Sequence, residues 1–241
     1  VMDRLIAMLD ARDAYTRYGA CRAIKMQKQR GAPAVPALRK TFRSDDLWLR
    51  ILSAEALAGI GEPARAVVPE MLERLAKGGD PSNDPREMEQ RYLSFALFNR
   101  GGLLGKSLAG VDRDLLAKAV RAGLENEDGR ARGSFATVYD NLTFDEIKPL
   151  LPAVLDAIVN RSPSGIMFSD GIRTKGLALL AKHHIAEGMP LCLDIMDLDR
   201  WGKNGRIMGC LKALQRYRGA ARPLLPRLNE LETQLRNHRE A

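Results

Sequence analysis

Histidine and cysteine are the residues here whose types and spacing could hold a metal or act as nucleophiles. His183 and His184 are adjacent. Neighbouring residues on a helix point about 100° apart, so this pair cannot hold one metal as histidines four residues apart can. Cys21, Cys192 and Cys210 each lie in an apolar helical pattern, which predicts small core residues rather than a disulfide framework or a zinc site. We therefore expect no metal and no other cofactor.

A glycine-rich run over residues 100–107 contains the Lys and Ser of a phosphate-binding loop. In such a loop the backbone N–H groups cradle phosphate, while Lys and Ser reach the outer phosphate and a magnesium ion. Arg100 stands where that motif needs its first glycine, and the preceding segment is helical in pattern rather than a strand. The pattern also suggests no Ser/His/Asp or Cys/His set, so we expect a binding protein more than an enzyme.

The elements that must position these residues are helices, because one arginine-based template recurs along the chain. Small residues stand three and four positions after most of these arginines, and mostly larger apolar residues stand seven positions after, which puts them on one helical face. The template arginines are Arg17, Arg50, Arg91, Arg132, Arg173 and Arg206. A second amphipathic helix precedes each template helix and often has proline in its first turn, at Pro36, Pro69, Pro152 and Pro190.

This alternation predicts an all-α protein, an α-α superhelix of about six helical hairpins followed by a terminal capping helix that begins near Pro226. We expect the stem of each template arginine to lie against the hairpin interface, with its guanidinium paired to an acidic turn residue such as Asp13 or Asp46. The chain begins at Val1. We expect residues 1–241 to form a single repeat array that belongs to a longer protein.

Proline in the first helix, an acidic turn and then Arg-x-x-small-small-x-x-apolar in the second helix resemble the HEAT repeat. The sequence is most similar to the short bacterial variety found in phycobilisome-lyase-like proteins. This resemblance implies a curved superhelix with a concave surface that binds protein, nucleic acid or small ligands. By analogy alone, it also raises a cofactor lyase or a chaperone as a function.

Basic residues are concentrated at the two ends of the chain. Residues 14–43 contain eight Lys/Arg and no Asp/Glu, and residues 200–241 contain ten Lys/Arg and three Asp/Glu, so the remainder carries −7 of the net +8. Clustered positive charge attracts anionic partners, although two solvated faces without a ligand would give the same pattern. The residues predicted to bind an anionic partner are Arg22, Lys25, Lys28, Arg30, Lys203, Arg216 and Arg218.

The leading interpretation is a non-enzymatic protein-binding or scaffolding module, whose partner is another protein or another domain of the same chain. Nucleic acid would bind it weakly and without sequence preference. The main alternative is a HEAT-like DNA glycosylase, which needs groove aromatics and an acidic residue near the lesion. Trp48 and Trp201 are the tryptophans, and neither lies in a Trp-rich cluster. No apolar run reaches the roughly 18 residues of a membrane span, and the sequence assigns no compartment.

Overall fold

The structure is a computed structural model that describes residues 1–80, 82–198 and 202–238. Within these ranges the chain is all-α, and no β-strand forms; one isolated bridge pairs Asp128 with Ser164. The first seven helices are α1 (Met2–Met8), α2 (Ala14–Met26), α3 (Val35–Phe42), α4 (Leu47–Ile60), α5 (Val68–Ala76), α6 (Met88–Phe98) and α7 (Arg113–Leu124). The next seven are α8 (Gly129–Phe135), α9 (Phe144–Ile147), α10 (Leu151–Val159), α11 (Ser169–Lys182), α12 (Gly188–Asp194), α13 (Lys203–Tyr217) and α14 (Leu225–Arg236).

These helices form hairpins that stack in chain order. We call the first helices of the hairpins A-helices (α1, α3, α5, α7, α10 and α12) and the second ones B-helices (α2, α4, α6, α8, α11 and α13). Each A-helix packs against the B-helix that follows it, and each B-helix packs against the next B-helix. Six hairpins with α14 after the last of them are present in the described part of the chain. The predicted all-α solenoid is confirmed.

The helix starts follow from capping and from proline. Pro36, Pro69 and Pro152 stand in the first turns of α3, α5 and α10, where a missing N–H leaves no hydrogen bond unmade. The fourth unit starts without proline at α7, where the side chain of Asp112 accepts hydrogen bonds from two backbone amides. Short 3₁₀ segments lead into several A-helices, among them Lys28–Ala34 before α3 and Glu62–Val67 before α5.

The core lies between hairpins and follows the template. The positions that follow the arginines are buried in α2 and α4, where Ala20, Ile24, Ala54 and Leu57 are at most 1% exposed. Small residues let the B-helices approach closely, while Ile24 and Leu57 fill the layer between them. The predicted register of the helical faces is therefore confirmed in these two helices.

The fourth hairpin departs from the template. The pattern extends the template helix as far as Tyr139, but α8 ends at Phe135 and the segment Ala136–Asn141 is 3₁₀. The Thr137 hydroxyl lies within hydrogen-bonding distance of two carbonyl oxygens, those of Ser134 (2.6 Å) and Phe98 (3.0 Å), and can donate its single proton to one of them at a time. Such side-chain bonds to nearby carbonyls compete with the regular α-helical pattern, which accounts for the early end of α8.

Two long connections flank α6, one over residues 77–87 and one over residues 99–112, as the glycine- and proline-rich sequence predicts. Both join neighbouring helices of the stack. Within the described residues, no helix combines the length and the apolar character needed to cross a membrane.

Candidate functional site

The template arginine of α4 lies inside the stack rather than on its surface. Arg50 is 6% exposed, and its guanidinium donates two hydrogen bonds to the carboxylate of Glu89 in α6, at 2.8 and 2.9 Å. It also donates to the carbonyl oxygens of Ser44 and Asp45, at 3.0 and 2.8 Å. Arg50 therefore closes the turn before its own helix and joins that helix to the next repeat.

Two other template arginines also join neighbouring repeats. Arg91 in α6 donates to Asp128, the N-cap of α8, at 2.8 Å. Arg206 in α13 donates to Asp170, in the first turn of α11, at 2.7 Å. Both arginines are largely buried. Like Arg50, these arginines connect neighbouring repeats. They do not form an exposed row of phosphate-binding side chains.

The expected arginine partners Asp13 and Asp46 are helix caps instead. Asp13 accepts a hydrogen bond from the amide of Thr16 at 2.6 Å, and Asp46 accepts one from the amide of Trp48 at 2.9 Å. The Tyr18 hydroxyl also donates to Asp46 at 2.7 Å. Burial opposes ionisation of Asp46, but these hydrogen bonds to its carboxylate outweigh it and lower its pKa. The two named partners were therefore wrong, whereas pairing with an acidic turn residue does occur between Arg91 and Asp128, and the burial of Arg50 was predicted.

Three aromatic side chains form a cluster across two neighbouring repeats. The ring centroids of Trp48 in α4 and Tyr92 in α6 are 6.2 Å apart, and those of Tyr92 and Phe95 are 5.7 Å apart, both in edge-on geometry. The Arg91 guanidinium lies 5.1 Å from the centre of the Tyr92 ring. Trp48 is 43% exposed, while Tyr92 and Phe95 are half-buried. We call Trp48, Tyr92 and Phe95 the aromatic cluster.

Further aromatic residues lie near the N-terminal ends of other B-helices. Tyr15 and Tyr18 in α2 have ring centroids 5.9 Å apart, and Tyr15 is exposed. Arg130 in α8 lies over Phe168, with its guanidinium 5.9 Å from the ring centre. These surroundings of Trp48 were not predicted from the sequence. The signal was present, because aromatic residues stand two positions before or one position after three of the template arginines. Trp201, the other tryptophan considered, lies outside the described residues.

The predicted basic residues of the first hairpin are only partly brought together. Lys28 and Arg30 line a groove of about 700 Å³ at the C-terminal ends of α2 and α4, together with Met26 and Gly59. Lys25 instead pairs with Glu55 of α4 at 3.1 Å. Arg22 is exposed on α2, one turn before Lys25.

The predicted basic residues near the other end divide into two places. Arg216 and Arg218 line a groove at the C-terminal ends of α11 and α13. Lys203 begins α13 and is thirteen residues before Arg216, or about 20 Å along the helix, so it does not belong to this groove. We call the lining residues Asp140, Lys182, His184, Lys212, Arg216 and Arg218 the cationic groove.

The first part of the chain is similar in sequence to a known repeat family. Residues 2–85, which span α1 to α5, match the sequence model of HEAT repeats. Residues 2–85 are HEAT repeats. The later hairpins stack with the same packing of A- and B-helices. The finer resemblance to phycobilisome-lyase-like repeats stays a prediction.

A solved structure described as an engineered protein, from the Northeast Structural Genomics Consortium, is similar to this chain. The TM-score is 0.59 at 17% sequence identity, and the similarity covers 90% of this chain and 98% of that chain. At such low identity the likeness bears on the fold alone. No curated protein matches the sequence.

The glycine-rich run after α6 is packed against the neighbouring helices and turns. The amides of Leu103 and Leu104 donate to carbonyl oxygens at the end of α6, at 2.9 and 2.8 Å, so they are not available to cradle phosphate. Arg65, in the 3₁₀ segment before α5, donates to the carbonyl oxygens of Leu103 and Ala109, both at 2.8 Å, and of Ser107 at 3.0 Å. The run is a packed connection, as its departures from the phosphate-loop motif indicated.

The cysteines and the histidine pair lie in different surroundings. All three cysteines are fully buried, and burial raises the thiol pKa of Cys21 and Cys192 to about 12 and that of Cys210 to about 11. His183 packs near Phe144, and burial lowers the pKa of its imidazole. His184 is exposed and lines the cationic groove. Within the described residues, no three His, Cys, Asp or Glu side chains are grouped to hold a metal ion.

Proposed function

We propose that the chain is a non-enzymatic binding module that receives another protein, or another domain of its own polypeptide, on the aromatic cluster. HEAT repeats are helical-repeat scaffolds of the kind that bind proteins. The observation that supports this proposal most is the exposed Trp48 packed edge-on against Tyr92, across a repeat boundary. A partner that covers both rings would contact two repeats at once.

The aromatic cluster has the properties of an interface anchor. Tryptophan and tyrosine are enriched among the few residues that supply most of the binding energy at protein interfaces, because each buries a large area at little cost in conformational entropy. Trp48 lies in the first turn of α4, which the Asp46 carboxylate caps through two backbone amides. The ring is therefore carried by a rigid helix rather than by a loop.

The charges beside the aromatic cluster favour a protein over a nucleic acid. Aromatic rings can also stack on bases, so a nucleic-acid-binding protein or a DNA glycosylase remains the competing function. Asp45 and Asp46 stand three and two positions before Trp48 in the chain, and a phosphate backbone that crossed Trp48 would pass these carboxylates. Asp46 caps α4, and the nearby Glu89 is held by Arg50 and Arg74. Both carboxylates thus have structural partners.

Site-specific photo-crosslinking tests where the partner binds. A photoreactive phenylalanine analogue would be placed at position 48, and in a control protein at Lys118, an exposed residue of the A-helix α7. In native lysate we expect position 48 to yield a defined protein adduct that position 118 does not yield. Adducts formed equally from both positions, or adducts to nucleic acid at position 48, would contradict the proposal.

Affinity measurements with the identified protein then test the anchor. Trp48→Ala should weaken binding at least about tenfold, the effect typical of an interface hot spot, with little change in Tm because the ring is partly exposed. Duplex DNA with and without a damaged base would be measured in parallel from about 50 to 200 mM salt, together with base release. A preference for damaged DNA that survives the higher salt, or enzymatic base release, would contradict the binding-module proposal and support the glycosylase function.

A further inference from the structure

The cationic groove carries an excess of positive charge. It lies between the C-terminal ends of α11 and α13 and beside the 3₁₀ segment Ala136–Asn141, and it encloses about 910 Å³. Four basic side chains line it, from Lys182, Lys212, Arg216 and Arg218, against one carboxylate from Asp140. This is the largest grouping of like charges among the grooves described above.

Protein anions do not neutralise these charges. Lys182 donates to the backbone carbonyl oxygen of Asp140 at 3.0 Å, and Arg216 donates to that of Ala178 at 3.3 Å. Both acceptors are neutral. Within the described part of the chain, Lys212 and Arg218 form no ion pair and no side-chain hydrogen bond. An anion in the groove would therefore meet at least two cations that need not give up a partner.

The backbone at Arg218 gives an independent reason to assign its side chain a role other than folding. Arg218 follows α13 with φ 51° and ψ −129°, and Gly61 follows α4 with φ 82° and ψ −134°. Glycine adopts this region freely, whereas a residue with a Cβ is strained there. The end of α13 therefore carries arginine where glycine would fit the backbone better.

A purely structural role for Arg218 makes the opposite prediction about stability. Cations near a helix C-terminus interact favourably with the helix dipole. If that interaction were the reason for Arg218, glycine at this position would lower Tm. If backbone strain is the larger effect, glycine would leave Tm unchanged or raise it. Only the affinity for the ligand would then fall.

We propose that the cationic groove binds a short acidic segment of a protein, rich in Asp or Glu, at a site separate from the aromatic cluster. Arginine and lysine pair directly with carboxylates. A short segment fits better than a long polyanion such as nucleic acid, because the four cationic side chains are confined to the lining of the groove, which also contains the Asp140 carboxylate. The groove does not depend on the aromatic cluster, so the two proposals fail or succeed separately.

Two synthetic peptides test the groove: one with six consecutive glutamates and one with glutamines in their place. The full chain should bind the glutamate peptide at least about fivefold more tightly at low salt. The double variant Lys212→Gln/Arg218→Gly should lose most of that preference, since each exposed ion pair contributes about 0.2 to 1 kcal/mol, or roughly 1.4- to 5-fold in affinity. Its Tm should equal or exceed that of the parent chain.

Matched controls separate the groove from general charge effects. Lys118→Gln removes one positive charge from α7, away from the groove, and should keep the peptide affinity within about twofold, as should Trp48→Ala. If the double variant does not fold, the affinity of Lys212→Gln alone for the glutamate peptide is measured instead.

Several results would overturn the acidic-peptide site. These are equal affinity for the two peptides, equal losses in the control variants, or a lowered Tm of Arg218→Gly with unchanged peptide affinity. A short single-stranded oligonucleotide of the same charge that bound more tightly, and lost affinity in the double variant, would reassign the groove to nucleic acid.

Discussion

Buried arginines connect neighbouring repeats, and Arg50 shows what such a residue contributes. Its guanidinium satisfies two carbonyl oxygens of its own turn and both oxygens of Glu89 in the next repeat. The side chain of Glu89 is 14% exposed, and it also accepts a hydrogen bond from Arg74. Truncating Arg50 would leave carbonyl oxygens without a donor and would weaken the pairing of a buried carboxylate.

We predict that Arg50→Ala lowers the free energy of unfolding by about 3 kcal/mol, the effect typical of removing one partner of a buried ion pair. Urea unfolding monitored by circular dichroism measures this loss. Lys40→Ala is the matched control, because Lys40 pairs with Asp10 on the surface and both side chains are more than two-thirds exposed. That change should cost less than about 1 kcal/mol. Similar losses in the two variants would contradict the structural role of Arg50.

The sequence predicts the burial of these arginines but not their partners. Burial follows from the positions three, four and seven residues later, which share one helical face with the arginine. Glu89 is 39 residues from Arg50, and Asp128 is 37 residues from Arg91. Which acidic residue meets which arginine depends on how one hairpin sits on the next, and local periodicity does not contain that offset.

At the scale of elements, the closeness of paired helices limits which glycines can be replaced. A Cβ added to Gly176 in α11 would lie 2.6 Å from Cγ1 and 2.8 Å from Cδ1 of Ile158 in α10. Gly171, in the same helix, has no heavy atom within 4 Å of the corresponding position. One glycine is therefore needed for helix packing, and the other only lowers helix propensity.

We predict that Gly176→Ala destabilises the chain by about 1 to 3 kcal/mol, although alanine favours helix, because the methyl group overpacks the α10–α11 contact. Gly171→Ala should stabilise the chain by up to about 1 kcal/mol, because there only the propensity gain applies. Denaturant unfolding of both variants gives the comparison. A gain in stability in both variants would show that α10 and α11 are not in close contact at Gly176.

An ion pair connects the fourth hairpin to α9, the short helix that precedes α10. Arg113 in α7 donates to Glu146 in α9 from both Nε and Nη2, the latter at 3.0 Å. Glu146 also closes a capping box with Thr143. The hydrogen bond from Arg113 is the main cause that lowers the pKa of Glu146 to about 2, with further contributions from Thr143.

We predict that this pair stabilises the fold in a pH-dependent way. The carboxyl pKa is depressed in the folded state, so its contribution is fully present above the ordinary value of 4.5 and is lost as pH falls toward 2. The stability difference between the parent chain and Glu146→Gln, measured by urea unfolding, should therefore shrink between about pH 5 and pH 2. Asp145→Asn, at an exposed neighbour, should show no comparable trend. A difference independent of pH would contradict the ion pair.

The helical hairpins can be predicted from the sequence, but the residues that come together in the candidate site cannot. Proline in first turns and the spacing of the arginines predict the hairpins, since both act within one or two helices. The aromatic cluster combines Trp48 with Tyr92, 44 positions apart, and each residue alone resembles an ordinary surface or core aromatic. The cationic groove likewise requires α11 and α13 to end at the same edge. Only the stacking of hairpins creates these surfaces.

At the scale of the whole molecule, burial is uneven along the array. Nine of the fourteen residues of α4 are buried, since α4 packs against α2, α3 and α6. Neither α1 nor α14 contains a buried residue. In a repeat array each unit is stabilised mainly by its neighbours, so a helix with few packed neighbours should open without unfolding the rest.

We predict a gradient of hydrogen-exchange protection that follows this burial. Amides of α4 should exchange slowest because breaking their hydrogen bonds requires α2, α3 and α6 to separate, whereas amides of α14 should exchange far faster through local opening. Peptide-resolved hydrogen-exchange mass spectrometry under native conditions measures both. Leu57→Ala provides the control, because Leu57 is fully buried and its truncation should cost about 2 to 5 kcal/mol. That loss should accelerate exchange in α4 and leave α14 nearly unchanged. Equal protection in α4 and α14 would instead indicate that the whole array opens as one cooperative unit.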